Sequence, residues 1–179
     1  MKRLTTCAFL LAALTAVPAM AQTGSLTPTY DQAGANVGIT FGVIKYTAFH
    51  SNWGVEGTYE TKPLTKPFTS LGFRAGAAVA AGIHDFGDGD RLKLFQGGLH
   101  LVADRIGTPK FQMYGNFLIG PGNYFGSTDM FLTFVAGANI PLQDKKYLIR
   151  VEAAQTNDFY DGGREGGWRF SGGLTIPLK

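Results

Sequence analysis

Apolar and polar residues alternate with a period of two along most of the chain after residue 34. Period-two alternation is typical of β-strands, because successive side chains of a strand point to opposite faces. Clusters of Gly, Asn, Asp and Pro interrupt the pattern with turn chemistry. We predict eight strands, at residues 35–45, 51–61, 71–84, 91–104, 109–119, 129–140, 146–156 and 167–178.

This strand number and length predict an all-β fold, an eight-stranded antiparallel up-and-down closed β-barrel. Tilted strands of about ten residues are also long enough to cross a bilayer. The later connections alternate between short ("RIGT", "PLQDK") and longer ("GPGNYFGST", "NDFYDGGREGG"), as in outer-membrane barrels, although the break at 62–70 is long. We expect exposed loops near 85–90, 120–128 and 157–166.

The two faces of each strand differ in chemistry. Val37, Ile39, Phe41 and Val43 share one face of the first strand, for example, and Asn36, Gly38, Thr40 and Gly42 share the other. The strand at 91–104 changes phase near Gln96-Gly97-Gly98, which predicts a β-bulge.

The less apolar face is mostly Gly, Ala, Thr, Asn and Gln, whereas a water-facing sheet is usually rich in Lys, Glu and Asp. Small residues with sparse, opposite charges are typical of a narrow lumen in which ions must be paired. The candidate lumen residues are Glu56, Arg74, Gln112, Asn116, Arg150, Glu152 and Arg169. The apolar face would then contact lipid, with Trp53, Tyr59, Tyr147 and Trp168 as membrane-interface aromatics.

The opposite orientation is the alternative interpretation. A soluble periplasmic barrel of the lipocalin kind, binding an apolar ligand, has the same alternation with the apolar face inside. The pattern alone does not choose between the two barrels. The arginines decide, because they lie in the lumen of one barrel and in bulk solvent around the other.

The N-terminus predicts export. "MKR" is followed by an apolar run and by Ala19-Met20-Ala21, a small-x-small cleavage signal. We therefore predict a cleaved secretory signal peptide at 1–21, a short lead-in at 22–34 and a β-barrel domain at 35–179. The single cysteine, Cys7, lies inside the signal, so we expect no disulfide in the mature protein.

Composition and motifs exclude several function classes. The net charge of +3 predicts no nucleic-acid partner. "DFGDGD" at 85–90 offers oxygen ligands for a hard cation, but it lacks EF-hand spacing and is better explained as a hairpin loop. We expect no metal, no cofactor and no catalytic residues.

Several segments resemble one family. "NWGVEGTYE", "LFQGGLHLVA", "FLTFVAGANIPLQDKKYLIRVEAAQTNDFY" and "WRFSGGLTIPL" are similar to strands of the OmpA-like superfamily of small bacterial outer-membrane β-barrels. The resemblance implies a location in the cell outer membrane, contact with its lipid and insertion by its assembly machinery. The chain departs from the family at its end, Leu178-Lys179, where a terminal aromatic residue is usual.

The sequence thus favours a non-enzymatic outer-membrane barrel with a polar, side-chain-filled lumen and no wide solute pore. Its expected role is envelope integrity, surface interaction or minor permeability. An outer-membrane lipid-modifying hydrolase is a weaker alternative. His50 and Ser51 resemble the His and Ser of lipid A deacylases, but they are adjacent, so that in a strand they would point to opposite faces.

Overall fold

The computed structural model describes residues 32, 34–46, 52–64, 72–86, 89–103, 111–124, 126–142, 146–158 and 166–178. The predicted signal peptide at 1–21 lies outside these residues, and only Gln32 and Gly34 of the predicted lead-in are described. The eight strands are β1 (Asn36–Tyr46), β2 (Asn52–Glu60), β3 (Phe73–Asp85), β4 (Arg91–Ala103), β5 (Gln112–Tyr124), β6 (Ser127–Pro141), β7 (Leu148–Asp158) and β8 (Gly166–Pro177).

The strands form a closed antiparallel barrel in chain order, which confirms the predicted fold class. The last strand pairs with the first, from Asn36 opposite Pro177 to Tyr46 opposite Gly167, so the barrel has no open edge. We call the end at which β1 begins and β8 finishes the terminal end, and the opposite end the far end.

The strands are strongly staggered. Successive register partners of Asn36 around the barrel lead back to β1 at Tyr46, ten residues farther along the strand. The partners are Glu60, Ala78, Gly98, Leu118, Thr133, Thr156 and Gly167. This stagger tilts the strands and leaves a narrow interior that side chains can occupy.

The predicted loop at 120–128 is wrong. Strand β5 continues to Tyr124 and β6 begins at Ser127, so Phe125 and Gly126 alone connect them. Gly126 has a φ of 78°, the left-handed conformation that a tight turn requires and that glycine adopts without steric cost. The Gly-Pro-Gly signal is absorbed into β5, where Pro121 points outward.

Loop lengths also differ from the prediction. The far-end connections cover 47–51, 86–90, 125–126 and 159–165, while those at the terminal end cover 61–72, 104–111 and 142–147. The longer connections are therefore not gathered at the far end. The 85–90 segment is a hairpin connection as predicted, with Gly89 at a φ of 89° and Phe86 N–H donating to the Asp90 carbonyl over 3.0 Å.

The predicted bulge in β4 is also wrong, because β4 keeps one continuous register with β3. Leu92 and Leu94 point inward with Gln96, His100 and Val102, so the apparent change of phase is a change from apolar to polar lumen residues. Pairing with β5 omits Phe95 and Gln96, which lie opposite Pro121 and Gly120. Proline has no N–H to donate, which accounts for an interrupted ladder there.

Polarity is reversed relative to a soluble barrel. Phe41, Phe95 and Phe170 point outward and are 60%, 60% and 64% exposed, whereas Arg150 is completely buried. The lipocalin-like alternative requires the apolar side chains inside, so the observed orientation does not fit it. The described residues contain no helix long and apolar enough to cross a membrane.

Candidate functional site

The candidate site is a charged network across the middle of the lumen. Alternation places its members on one face of each strand: Glu56 and Glu60 four residues apart on β2, and Arg150 and Glu152 two apart on β7. Arg169 projects inward from β8. All five side chains are buried.

Arg169 binds Glu56 through two hydrogen bonds. Its Nη1 donates to Glu56 Oε2, and its Nη2 donates to Glu56 Oε1 over 2.8 Å. The same Nη2 lies 3.4 Å from Glu152 Oε2. Two parallel bonds between a guanidinium and a carboxylate are the strongest geometry for such a pair, and they link β2 to β8 across the lumen.

Arg150 joins two further carboxylates. Its Nε donates to Glu152 Oε1 over 2.7 Å, and its Nη2 donates to Glu60 Oε1 over 2.6 Å. The guanidinium carbon lies 4.4 Å from the centre of the Tyr114 ring, a cation–π contact. Glu152 thus lies between Arg150 and Arg169 and connects the two halves of the network.

Tyr114 completes the coordination of Glu152. Its hydroxyl donates to Glu152 Oε1 over 2.7 Å, and the Ser171 hydroxyl donates to Oε2 over 3.2 Å. The Tyr114 ring lies against its register partner Gly137 on β6, where an added Cβ would collide with the ring. Glycine at 137 therefore leaves the space that the ring occupies.

A chain of amides and one imidazole extends the network toward the terminal end. Asn116 Nδ2 donates to Glu60 Oε1 over 3.1 Å, and Asn116 Oδ1 lies 2.6 Å from His100 Nδ1. His100 Nε2 lies 2.9 Å from Gln32 Oε1. Gln32, which precedes β1, also donates through Nε2 to the Thr61 carbonyl over 3.2 Å. Gln32, which precedes the barrel in the chain, is thus bound inside the terminal end of the lumen.

The far end of the lumen contains a buried apolar cluster, with the buried His84 beside it. Ile44, Phe86, Leu92, Leu94 and Phe131 form one buried cluster, against which Tyr124 packs. An apolar constriction disfavours ions and water. The lumen therefore has two successive closures, this apolar cluster at the far end and the charged network below it.

The structure places the predicted lumen residues as follows. Glu56, Asn116, Arg150, Glu152 and Arg169 belong to the network described above. Gln112 is buried in the lumen near the terminal end. Arg74 is half-buried at the terminal end, where its Nη1 donates to the Gln32 carbonyl over 3.2 Å.

Five contributors were not among the candidate lumen residues: Glu60, Tyr114, Ser171, Gln32 and His100. Glu60 and Tyr114 share a face with Glu56 and Asn116 respectively, so the alternation itself contained the signal. His100 has no such marker beyond its inward position. Gln32 lies before the first strand, and no periodicity could have placed it in the lumen.

The four predicted interface aromatics are all exposed on the outer surface. Trp53 is the register partner of Val43, and Trp168 that of Lys45, so both lie toward the far end. Tyr59 pairs with Val37, and Tyr147 immediately precedes β7, so these two lie toward the terminal end.

Two other candidate sites from the sequence, the hydrolase pair and the acidic loop, lie wholly or partly outside the described residues. His50 and Ser51, the candidate hydrolase pair, lie outside the described residues, as does Asp88 of the acidic loop. Among the residues that are described, no three His, Cys, Asp or Glu side chains come together as a metal site.

Comparison with known proteins gives the fold. No protein-family model matches the chain, and no curated protein matches it. Among solved structures, it is similar to Neisserial surface protein A (NspA), at 8% identity and a TM-score of 0.54, covering 80% of this chain and 96% of the other. It is also similar to the outer membrane enzyme PagL, at 12% identity and a TM-score of 0.51, covering 80% and 99%. The chain thus has the fold of these small barrels.

Proposed function

We propose that this chain is an integral outer-membrane protein of the OmpA-like kind, without enzymatic activity, whose lumen is closed by its own side chains. Its role would be envelope integrity, surface contact through the far-end connections, or at most minor permeability. The reversed polarity carries the proposal: paired charges lie inside the barrel, and the surface outside is mostly apolar.

The energetics of the two surfaces support membrane placement. A water-soluble protein rarely exposes a contiguous apolar patch larger than a few hundred Å², whereas here large apolar side chains face outward from all eight strands. The closed strand pairing of the barrel also supports membrane placement, since in hydrocarbon every backbone N–H and C=O must find a partner within the protein. A closed barrel meets that requirement.

The lumen supports a structural role rather than transport. Two arginines and three glutamates are bonded to one another across it, and the apolar cluster closes the far end. An eight-stranded barrel is just wide enough for side chains to fill. Solutes of ordinary metabolite size would find no passage.

Membrane fractionation combined with heat-modifiable gel mobility tests the proposal. We expect the chain to sediment with outer membranes, to need detergent for extraction, and to migrate differently before and after boiling. Recovery in the soluble periplasmic fraction without detergent would refute the membrane assignment. Loss of acyl chains from lipid A on expression, absent from a His50→Ala variant, would refute the non-enzymatic assignment instead.

A further inference from the structure

We propose that the outer surface around Lys45, between Trp53 and Trp168, binds the anionic phosphate headgroup of a membrane lipid. This proposal rests on the membrane placement proposed above and adds a partner to it. It starts from the distribution of charge over the outward positions of the strands.

Charge on the outward positions is confined to the far end. Within the described strands, the charged side chains at outward positions are Lys45, Asp85, Arg91 and Lys93. Asp85 accepts a hydrogen bond from Arg91 Nε over 3.3 Å, so these two compensate each other. Lys45 and Lys93 are the two remaining positive charges at these outward positions, at one border of the apolar band. The outward strand positions toward the terminal end carry no charge.

Lys45 differs from Lys93 in its neighbours. Its register partner on β8 is Trp168, and Trp53 lies diagonally across on β2, opposite Val43. Trp53 in turn stacks on Phe41, with ring centroids 6.0 Å apart and an interplanar angle of 23°. Position 45 thus lies between the two tryptophan positions on the outer surface of the barrel. No carboxylate of the described residues forms an ion pair with it.

The wall below Lys45 suits acyl chains. Phe41, Val43 and Phe170 are each at least 60% exposed and lie on the terminal side of Lys45 along β1 and β8. A lipid with its chains on these side chains would place its headgroup at the level of the lysine and the two tryptophans. Tryptophan favours the membrane–water interface, and the lysine stem extends its charge into the headgroup layer.

Charge complementarity selects the class of lipid. An ammonium without an ion-pair partner among the described residues favours a headgroup with net negative charge over a zwitterionic one, with an expected local enrichment of roughly fivefold per lysine. The occupant is therefore a phosphorylated, net-anionic lipid. Free phosphate lacks the acyl chains that the apolar wall would bind, so we expect it not to compete.

Fluorescence quenching tests the proposal directly, because Trp53 and Trp168 are the two tryptophans of the chain. The full chain is folded into phosphatidylcholine vesicles that contain a small fraction of phosphatidic acid brominated in its acyl chains. Matched vesicles contain brominated diacylglycerol or brominated phosphatidylcholine. We expect stronger quenching by the brominated phosphatidic acid than by either control, and no relief of quenching by millimolar inorganic phosphate.

Substitution identifies the cation. In Lys45→Gln the excess quenching by phosphatidic acid should disappear, while Lys62→Gln, at an exposed position of the terminal end, should leave it unchanged. Equal excess quenching in Lys45→Gln and the parent would overturn the proposal, as would equal quenching by brominated diacylglycerol. Relief by inorganic phosphate would show an ordinary anion site and would overturn it too. If brominated phosphatidylcholine quenches neither tryptophan, the membrane assignment itself is wrong, so the two failures are distinguishable.

Discussion

Arg150 is the residue on which the interior charge balance depends. It is completely buried and contacts two carboxylates and the face of Tyr114. A buried ion pair is close to neutral in net stability as long as both partners are present, because desolvation offsets the attraction. Removing one partner is different, since the desolvation cost of the other remains without compensation.

We therefore expect Arg150→Ala to lower the free energy of unfolding by about 3 kcal/mol, because Glu60 and Glu152 each lose an arginine. Urea titration of the folded barrel in vesicles, followed by tryptophan fluorescence, measures the change. Adding Glu60→Gln and Glu152→Gln to Arg150→Ala should recover part of the loss, since neutral amides carry a smaller desolvation cost. Lys62→Ala is the control, and an Arg150→Ala unfolding curve that coincides with the parent's would contradict the account.

At the scale of elements, the alternation predicted strands better than it predicted their ends. The eight strands are confirmed, and most boundaries agree within a few residues. The failure at 120–128 has a physical cause: Gly, Pro and Asn read as turn residues, but an outward proline can lie in a strand whose neighbouring ladder is interrupted. In the same way, Leu92 and Leu94 suggested a bulge because an apolar stretch of lumen was not anticipated.

The β5–β6 turn gives a prediction at this scale. Gly126→Ala should destabilise the barrel by about 1 kcal/mol, because alanine at a φ of 78° is strained while an added Cβ meets no atom within 4 Å. Gly57→Ala is the matched control, since its added Cβ lies 4.0 Å from the nearest atom, the Ala81 carbonyl oxygen, at an outward strand position. Equal unfolding midpoints for the two variants would contradict the strain argument.

At the scale of the whole molecule, the lumen is closed twice in series. The sequence indicated the charged closure, because alternation placed Glu56, Arg150, Glu152 and Arg169 on one face. It did not indicate how these residues pair, since pairing depends on the stagger between strands distant in sequence. The contribution of Gln32 and the apolar closure at the far end also follow from three-dimensional position rather than from any local pattern.

Two closures in series predict the electrical behaviour of the barrel. In planar bilayers we expect no discrete conductance from the parent, nor from Phe131→Ala or Arg169→Ala alone, because the second closure remains in each. A triple variant that combines Phe131→Ala with Arg150→Ala and Arg169→Ala should conduct small ions measurably, because it removes both arginines of the charged closure as well as the apolar one. Arg169→Ala combined with the outward change Phe170→Ala controls for general loosening. Steady conductance through the parent would show that the closures leak.

The pairing of β1 with β8, which closes the barrel, constrains the order in which the strands can assemble during folding. Glu56 meets Arg169 across 113 residues of chain and Glu60 meets Arg150 across 90, and β1 pairs with β8, so we expect these contacts of high sequence separation to form late in folding. A chain of which only the first strands have formed contains Glu56 and Glu60 without their arginine partners. Its sheet also has two unpaired edges. We therefore expect the barrel to close in one late step, and a chain truncated before β8 would keep two unpaired strand edges and leave Glu56 without its arginine.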